Sequence, residues 1–228
     1  ELVITVLILP VHACLQHPWV DRLEECLHAH LSFDVGTQDG RIRRAPELVI
    51  IDDVEAGGSS EVDVESMAAE AEHLMGGIDG LVSAAGIARD SPVPIDELPT
   101  ENWDQTLTVN LRGSYLTAKH VVPAIKRAAG GVIVMIASGA GVSEASSMVA
   151  YGASKGGVNG LGMTLARHLE QDRIRVNVIC PGNVDTPMKV DIIEQQVEAI
   201  GEAARRDEQL RGLVDPAGIA SIIAFLLS

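Results

Sequence analysis

The sequence predicts one α/β domain over residues 1–228, built on a doubly wound parallel sheet with helices on both faces. Short apolar runs such as "ELVIID" and "GGVIVMIAS" contain no alternating polar residues, which is typical of strands buried on both faces. These runs alternate with longer helical patterns along the chain, as in sheets joined by helical crossovers. With 228 residues, 46% of them hydrophobic, the chain is long enough to bury one large core.

Each predicted strand is a short apolar run, and the predicted helices are longer segments with helical periodicity. The strands are expected at 2–9, 31–35, 48–52, 79–84, 131–137 and 174–180. The helices are expected at 18–30, 62–75, 100–128, 151–170, 187–206 and 215–227.

The two ends of the chain and one connection depart from a regular alternation. Only about a dozen residues, 36–47, join the second and third strands, so we expect a shortened helix or an irregular loop there. The chain begins with Glu1 rather than Met and ends in a helical pattern without a following strand. We therefore expect incomplete termini or a sheet that lacks its final strand.

Composition and charge narrow the possible partners. A net charge of −15 argues against nucleic acid or an anionic membrane as a partner. Three cysteines do not form a disulfide framework, which favours the reducing cytoplasm. The apolar run at 2–9 is too short to span a bilayer, and no cleavage signal accompanies it. The expected partner is a small-molecule substrate.

The segment "YGASKGG" (151–157) has the strongest chemical signal. Tyr151 and Lys155 are four residues apart, so on a helix their side chains share one face. A neighbouring ammonium favours the phenolate and lowers the pKa of a tyrosine, which makes the pair a general acid and base. An exposed Tyr–Lys pair without a function is the alternative for this motif taken alone.

Two polar residues upstream extend this motif. Ser138 follows the predicted strand 131–137, at the strand edge where parallel sheets bind ligands. Asn110 lies inside the predicted helix 100–128, where asparagine has a mild propensity cost. It is either a surface or locally bonded residue, or a polar relay beside the lysine.

These motifs, in this order and spacing, resemble the short-chain dehydrogenase/reductase family, especially its 3-oxoacyl-carrier-protein-reductase-like branch. The resemblance covers about residues 48–227, and six segments in register make it highly specific. The segments are "IIDDV" (50–54), "DGLVSAAG" (79–86), "VNLRGSYL" (109–116), "IASGAG" (136–141), "YGASKGG" (151–157) and "RVNVICPGNVDTPM" (175–188). The fold implied is a Rossmann-like one.

The resemblance implies that the chain interconverts an alcohol and a ketone or aldehyde by hydride transfer with a nicotinamide cofactor. Tyr151 would exchange the proton, Lys155 would lower its pKa and hold the nicotinamide ribose, and Ser138 would orient the substrate oxygen. Asn110 would support a water that connects the lysine to solvent. The implied cofactor-binding residues are Asp53, Val54, Ala84, Ala85, Gly86, Tyr151, Lys155, Pro181, Gly182, Val184 and Thr186.

The first turn departs from the family pattern, which is rich in glycine. The glycines of such a turn let the backbone approach the pyrophosphate, yet residues 9–16 read "LPVHACLQ". Three interpretations remain open: a dehydrogenase with a rebuilt phosphate loop, a cofactor-poor lyase or isomerase, and a non-catalytic subunit of a hetero-oligomer. In the first, His12 or His17 either assists the phosphates or is an uncommitted loop histidine. Cys14 and His17 alone are too few ligands for zinc, and we expect no metal.

Other residues bear on the cofactor, the assembly and the substrate. Asp34, at the end of the predicted second strand, would accept hydrogen bonds from the adenine ribose and repel a 2′-phosphate, which favours NAD over NADP. Ala84 replaces the asparagine of the family. The resemblance also implies a homodimer or homotetramer through 100–128 and 151–170. Residues 188–212, which contain no aromatic residue, are expected to form the substrate lid.

Overall fold

The structure is a computed structural model that describes residues 6–9, 41–45, 48–52, 60–89, 93–143, 146–200 and 203–228. Six strands form one sheet in the order β2-β3-β1-β4-β5-β6. The strands are β1 (Val6–Leu9), β2 (Arg41–Ala45), β3 (Leu48–Asp52), β4 (Gly80–Ser83), β5 (Gly131–Ile136) and β6 (Ile174–Ile179).

The predicted parallel arrangement is confirmed for β4, β5 and β6. Val82 of β4 lies opposite Val134 of β5, which in turn lies opposite Asn177 of β6. The first three strands differ, because β1 pairs antiparallel with both β3 and β4, and β2 pairs antiparallel with β3. Two positions separate β2 from β3, too few for the crossover that parallel neighbours need, so these two strands form a hairpin.

Two expectations for the N-terminal half have different outcomes. The connection 36–47 was predicted as a helix or irregular loop, and this is wrong for 41–45, which form β2. The strand predicted at 31–35 and the helix predicted at 18–30 lie outside the described residues.

Seven α-helices lie in the described part of the chain, and they follow the predicted periodicity with one exception. They are α1 (Glu61–Met75), α2 (Thr100–Leu107), α3 (Gly113–Arg127), α4 (Val149–His168), α5 (Pro187–Ile200), α6 (Ala203–Arg211) and α7 (Pro216–Leu227). The exception is the helix predicted at 187–206, which is divided between α5 and α6. Gly201 follows α5 in the sequence, and glycine is a poor helix former.

The predicted helix 100–128 contains a π-helical turn. Thr108–Arg112 joins α2 to α3, and the Gly113 amide donates to the Thr108 carbonyl five residues earlier. Such turns are rare and often occur at functional sites. Asn110 lies within this turn.

Apolar side chains cover both faces of the parallel strands, so helices pack on each face as predicted. Leu81 of β4 and Ile133 of β5 pack on one face, against α3 and α4. The adjacent Val82 and Val134 point to the other face, where they pack against Ile223 of α7. Burial of each such side chain contributes roughly 1.5–3 kcal/mol to the free energy of unfolding. The two layers hold the carboxyl ends of β4, β5 and β6 at one edge. Within the described ranges, no helix is long and apolar enough to cross a membrane.

Candidate active site

A cavity of about 310 Å³ opens at the carboxyl ends of the parallel strands. Its walls come from 84–86 after β4, 136–140 after β5 and 181–186 after β6, together with side chains of α4, α5 and α7. Parallel α/β sheets bind their ligands at this edge, because the loops that follow neighbouring strands meet there.

Lys155 is buried at the inner wall of this cavity. Its Nζ donates to the carbonyl oxygen of Ile136, the last residue of β5, at 2.9 Å. The side chain belongs to a residue that is only 4% exposed, and this burial lowers its pKa to about 8 because the charged form loses its hydration. The ammonium lies 5.8 Å from the centre of the Tyr151 ring. The helical spacing therefore places both side chains at one site, as predicted.

Tyr151 and Ser138 meet across the cavity through a side-chain hydrogen bond. Ser138 is also fixed from its own loop, since the Ala140 amide donates to its Oγ at 3.2 Å. Burial raises the pKa of Tyr151, and the hydrogen bond from Ser138 opposes this rise. This direction is opposite to the lowering expected from an ammonium neighbour, because desolvation of the phenolate is its largest cause. The phenol is therefore held in its protonated form near neutral pH.

Asn110 is fully buried, and its side-chain amide is committed to hydrogen bonds. Its Oδ1 accepts from the Ile87 amide at 2.7 Å, and its Nδ2 donates to the Ile87 carbonyl at 2.9 Å. The same Nδ2 donates to Ser154 Oγ at 2.9 Å, and Ser154 donates to the Tyr151 carbonyl at 2.8 Å. Asn110 thus ties the segment after β4 to the π turn and to α4.

Three buried serines near Asn110 were not found by sequence reasoning. Besides Ser154, the hydroxyl of Ser114 donates to the Asn110 carbonyl at 2.8 Å, and Ser83 Oγ donates to Ser114 Oγ at 3.3 Å. The sequence offered one indication that these serines are buried, since they are small polar residues within apolar segments. Ser83 ends the segment "GLVS", and Ser154 precedes Lys155. Each of them serves the π turn or α4 and not the cavity itself.

We expect Asn110→Ala to reduce the free energy of unfolding by about 3 kcal/mol or more. The substitution leaves the buried amide and carbonyl of Ile87 without partners, and each buried polar group that loses its partner costs about 1–3 kcal/mol. Urea unfolding would measure the loss. Asn102→Ala is the matched control, because the only described hydrogen bond of its side chain is a 3.4 Å contact with the exposed Arg89 carbonyl. A similar small loss in both variants would contradict the assignment.

The segment 84–86 approaches Lys155 closely. A Cβ on Gly86 would lie 3.1 Å from Lys155 Nζ and 3.4 Å from Asn110 Oδ1, so a larger residue would crowd the lysine. Ala84 and Gly86 line the cavity. Ala85, the third residue predicted here, is buried in the core cluster beneath them.

The loop 181–186 places four predicted residues on the cavity wall: Pro181, Gly182, Val184 and Thr186. The Gly139 amide donates to the Pro181 carbonyl at 2.8 Å, which joins this loop to the Ser138 loop. Val184 pairs with Val214 in an isolated parallel bridge. Thr186 Oγ1 accepts from the Lys189 amide at 3.3 Å and so caps the start of α5.

The outer wall of the cavity is formed by aliphatic and small polar side chains. Met188 and Ile192 of α5 face Met148, and the Gln196 amide lies 3.5 Å from Ser147 Oγ. Helix α5 therefore forms part of the cavity wall, and the predicted substrate lid at 188–212 stays a prediction. It contributes no aromatic ring to the wall.

Several predicted residues lie outside the described residues: Asp34, Asp53, Val54, the turn 10–16 with His12 and Cys14, and His17 after it. The structure therefore describes the part of the site near Lys155. In the ranges that are described, no group of three or more His, Cys, Asp or Glu side chains is placed to hold a metal ion.

Comparison with known proteins gives consistent matches. A family model described as short chain dehydrogenase matches residues 51–197. The chain is 35% identical over 170 residues to the 2,3-dihydro-2,3-dihydroxybenzoate dehydrogenase of Escherichia coli, covering 72% of this chain and 66% of the relative. It is 34% identical to the human 3-oxoacyl-[acyl-carrier-protein] reductase, covering 74% of this chain and 68% of the relative.

Solved structures match in the same way. Levodione reductase superposes with a TM-score of 0.70 at 29% identity, covering 76% of this chain and 68% of that chain. The ligand-free aldohexose dehydrogenase of Thermoplasma acidophilum has a TM-score of 0.67 at 27% identity, covering 78% and 71% respectively. The chain thus spans about two thirds of the length of its first relatives, at 66% and 68%.

Proposed function

The chain belongs to the short-chain dehydrogenase/reductase family of oxidoreductases, and from this premise we propose that it interconverts an alcohol and a ketone or aldehyde with a nicotinamide cofactor. The observation that carries the proposal is the convergence of Ser138, Tyr151 and Lys155 in one cavity. These side chains come from the loop after β5 and from the first two turns of α4, and they match the spacing predicted from the sequence.

The wall near Lys155 fits the nicotinamide end of such a cofactor. Gly86 has no side chain that would fill the space beside the Lys155 ammonium, and the loop 181–186 faces it across the cavity. We assign the ribose hydroxyls to Tyr151 and Lys155, and the nicotinamide to the loop 181–186. When bound, the cofactor supplies or accepts the hydride.

The proton is assigned to Tyr151. In the reducing direction its hydroxyl gives a proton to the carbonyl oxygen, and in the oxidising direction it takes one from the alcohol. Ser138 already hydrogen-bonds Tyr151, so a substrate oxygen placed between the two would be held by both. The phenol carries its proton near neutral pH, as the reducing direction requires, although its raised pKa makes it a weaker acid than a free tyrosine.

Asn110 is assigned mainly to positioning, because its amide is committed to Ile87 and Ser154. The resemblance adds a role in holding a water beside Lys155.

We assign NAD as the cofactor, since Asp34 favours an unmodified adenine ribose, and a homodimer or homotetramer as the assembly. Helix α4 leaves Met163 67% exposed, which supports a contact between copies on this helix. The cytoplasm is the proposed location, because three cysteines do not suggest a disulfide framework.

Isothermal titration with NAD⁺, NADH and NADPH tests the proposed function. We expect saturable binding of NAD⁺ and NADH below millimolar concentrations, with NADPH weaker, followed by an absorbance change at the nicotinamide band with a suitable alcohol or carbonyl compound. A lack of binding at millimolar cofactor would reject the dehydrogenase. Turnover without an absorbance change would favour the lyase or isomerase, and co-purification with a glycine-rich homologue would favour the non-catalytic subunit.

A further inference from the structure

A contact between glycines holds the loop after β5 against helix α4. The three glycines are Gly141 in the loop and Gly152 and Gly156 on α4, and they are called the glycine contact below. Gly152 and Gly156 are four residues apart, so they lie on the same face of the helix. This loop contains Ser138, and this helix contains Tyr151 and Lys155.

The distances leave no room for side chains in the glycine contact. A Cβ on Gly141 would lie 2.1 Å from the Gly152 carbonyl oxygen, and the positive φ of Gly141, +82°, is a conformation that glycine favours. A Cβ on Gly152 would lie 2.8 Å from Ser146 Cβ, and one on Gly156 would lie 3.0 Å from the Gly141 carbonyl oxygen. The Gly141 backbone therefore packs directly on the backbone of Gly152 and Gly156, and Ser146, at the end of the same loop, packs on the remaining side of Gly152.

The other side of the loop is also fixed. The Gly139 amide donates to the Pro181 carbonyl at 2.8 Å, and the Ser143 amide donates to the Gly139 carbonyl at 3.0 Å. Ser138 lies next to these bonds and accepts from the Ala140 amide. Any outward movement of the loop on α4 would therefore carry Ser138 away from Tyr151.

We propose that Gly141, Gly152 and Gly156 are positioning residues whose contact sets the separation between the Ser138 and Tyr151 hydroxyls. The proposal rests on the proposed function for its catalytic consequence. None of the three glycines touches the reacting atoms, and each acts through the placement of Ser138. A displacement of about 1 Å at a reacting group can cost about 100-fold in rate, so small residues here have a large effect.

Alanine substitutions on α4 form a graded series with an internal control. Gly160→Ala is the control, because a Cβ at Gly160 meets no atom within 4 Å. We expect its kcat to stay within about twofold of wild type, while Gly156→Ala loses about tenfold and Gly152→Ala about 100-fold. The KM for the cofactor should change little, because Lys155 and the loop 181–186 are retained. Equal kcat in all three variants would overturn the proposal.

A double-mutant cycle with Ser138→Ala separates positioning from a general effect on the fold. If Gly152→Ala acts by displacing Ser138, it should cost little additional kcat once Ser138 is already Ala. Full additivity of the two losses would overturn the proposal. Gly156→Ala, with its milder 3.0 Å contact, keeps the test available if Gly152→Ala fails to fold.

Hydrogen exchange supplies a test that does not depend on turnover. The amides of Gly139, Ala140 and Ser143 are bonded within the loop or to Pro181, and we expect them to exchange faster in Gly152→Ala or Gly156→Ala than in Gly160→Ala. Unchanged exchange would overturn the positioning role. If wild type has no dehydrogenase activity while these amides respond as expected, the proposed function fails and the structural role of the glycine contact stands.

Discussion

Replacing Tyr151 with Phe is expected to lower kcat by about 10³-fold and to leave cofactor affinity within about twofold. The aromatic ring is retained and only the hydroxyl is lost, while Lys155 and the loop 181–186 keep the other contacts assigned to the cofactor. Positioned general acids contribute about 10²–10⁴-fold, and here the same hydroxyl also holds the substrate oxygen. Steady-state kinetics combined with calorimetric titration of the cofactor would measure the two effects separately.

Tyr115→Phe is the matched control, because Tyr115 is the other tyrosine of the chain and is 47% exposed on α3. Its kcat should equal that of wild type. Retention of turnover in Tyr151→Phe would exclude Tyr151 as the proton donor. Loss of cofactor binding together with turnover would instead assign the hydroxyl to binding.

Replacing Lys155 with Met is expected to abolish turnover and yet to raise the free energy of unfolding at pH 7 by about 2 kcal/mol. Burial lowers the pKa of Lys155 from 10.5 to about 8, so the charged form is destabilised in the folded state. Each pKa unit corresponds to about 1.4 kcal/mol, which gives at most about 3 kcal/mol for removal of this charge. Loss of the hydrogen bond to the Ile136 carbonyl offsets about 1 kcal/mol of this.

The pH dependence of this effect has a definite sign. Below pH 8 the folded and unfolded states both hold the lysine proton, and the cost of the buried charge is present in full. Between pH 8 and 10.5 the unfolded state holds more protons than the folded state, so wild-type stability rises relative to Lys155→Met. We therefore expect the higher free energy of unfolding of Lys155→Met to disappear as the pH approaches 10.5.

Urea unfolding at pH 7 and pH 10 would measure this trend. The contributions of all other titrating groups cancel when the free energy of unfolding of the variant is compared with that of wild type at the same pH. Lys126→Met is the matched control, because Lys126 forms an exposed ion pair with Asp172 at 2.7 Å. Such pairs contribute about 0–1 kcal/mol. A Lys155→Met protein that is less stable than wild type at pH 7 would show that Lys155 serves the fold.

Local patterns were sufficient to predict most of the elements and the proximity of Tyr151 to Lys155. Apolar runs identify β3 to β6 because a strand buried on both faces must be apolar throughout. The spacing of four between Tyr151 and Lys155 predicts one face because helical geometry is set by the backbone alone. Ser138 could be placed beside them because the carboxyl ends of parallel strands meet at one edge.

Contacts between distant segments were not predictable from these patterns. The pairing direction of β1 to β3 depends on which strand edges meet, and an apolar run carries no information about direction. The hydrogen bonds between Asn110 and Ile87 join residues 23 positions apart. They depend on a π turn that has no sequence signature. The glycine contact was visible only as a spacing of small residues, with no indication of the loop that would pack on it.

The sequence by itself determined the family of this protein, the elements of its parallel half and the presence of Ser138, Tyr151 and Lys155 in one cavity. The tertiary structure alone decided in which direction the pKa values of Tyr151 and Lys155 are shifted. Spacing predicts a lowered pKa for a tyrosine beside an ammonium, whereas burial raises the pKa of Tyr151 and lowers that of Lys155. The reason is that desolvation depends on every neighbouring atom that excludes water, and those atoms come from strands and helices throughout the chain.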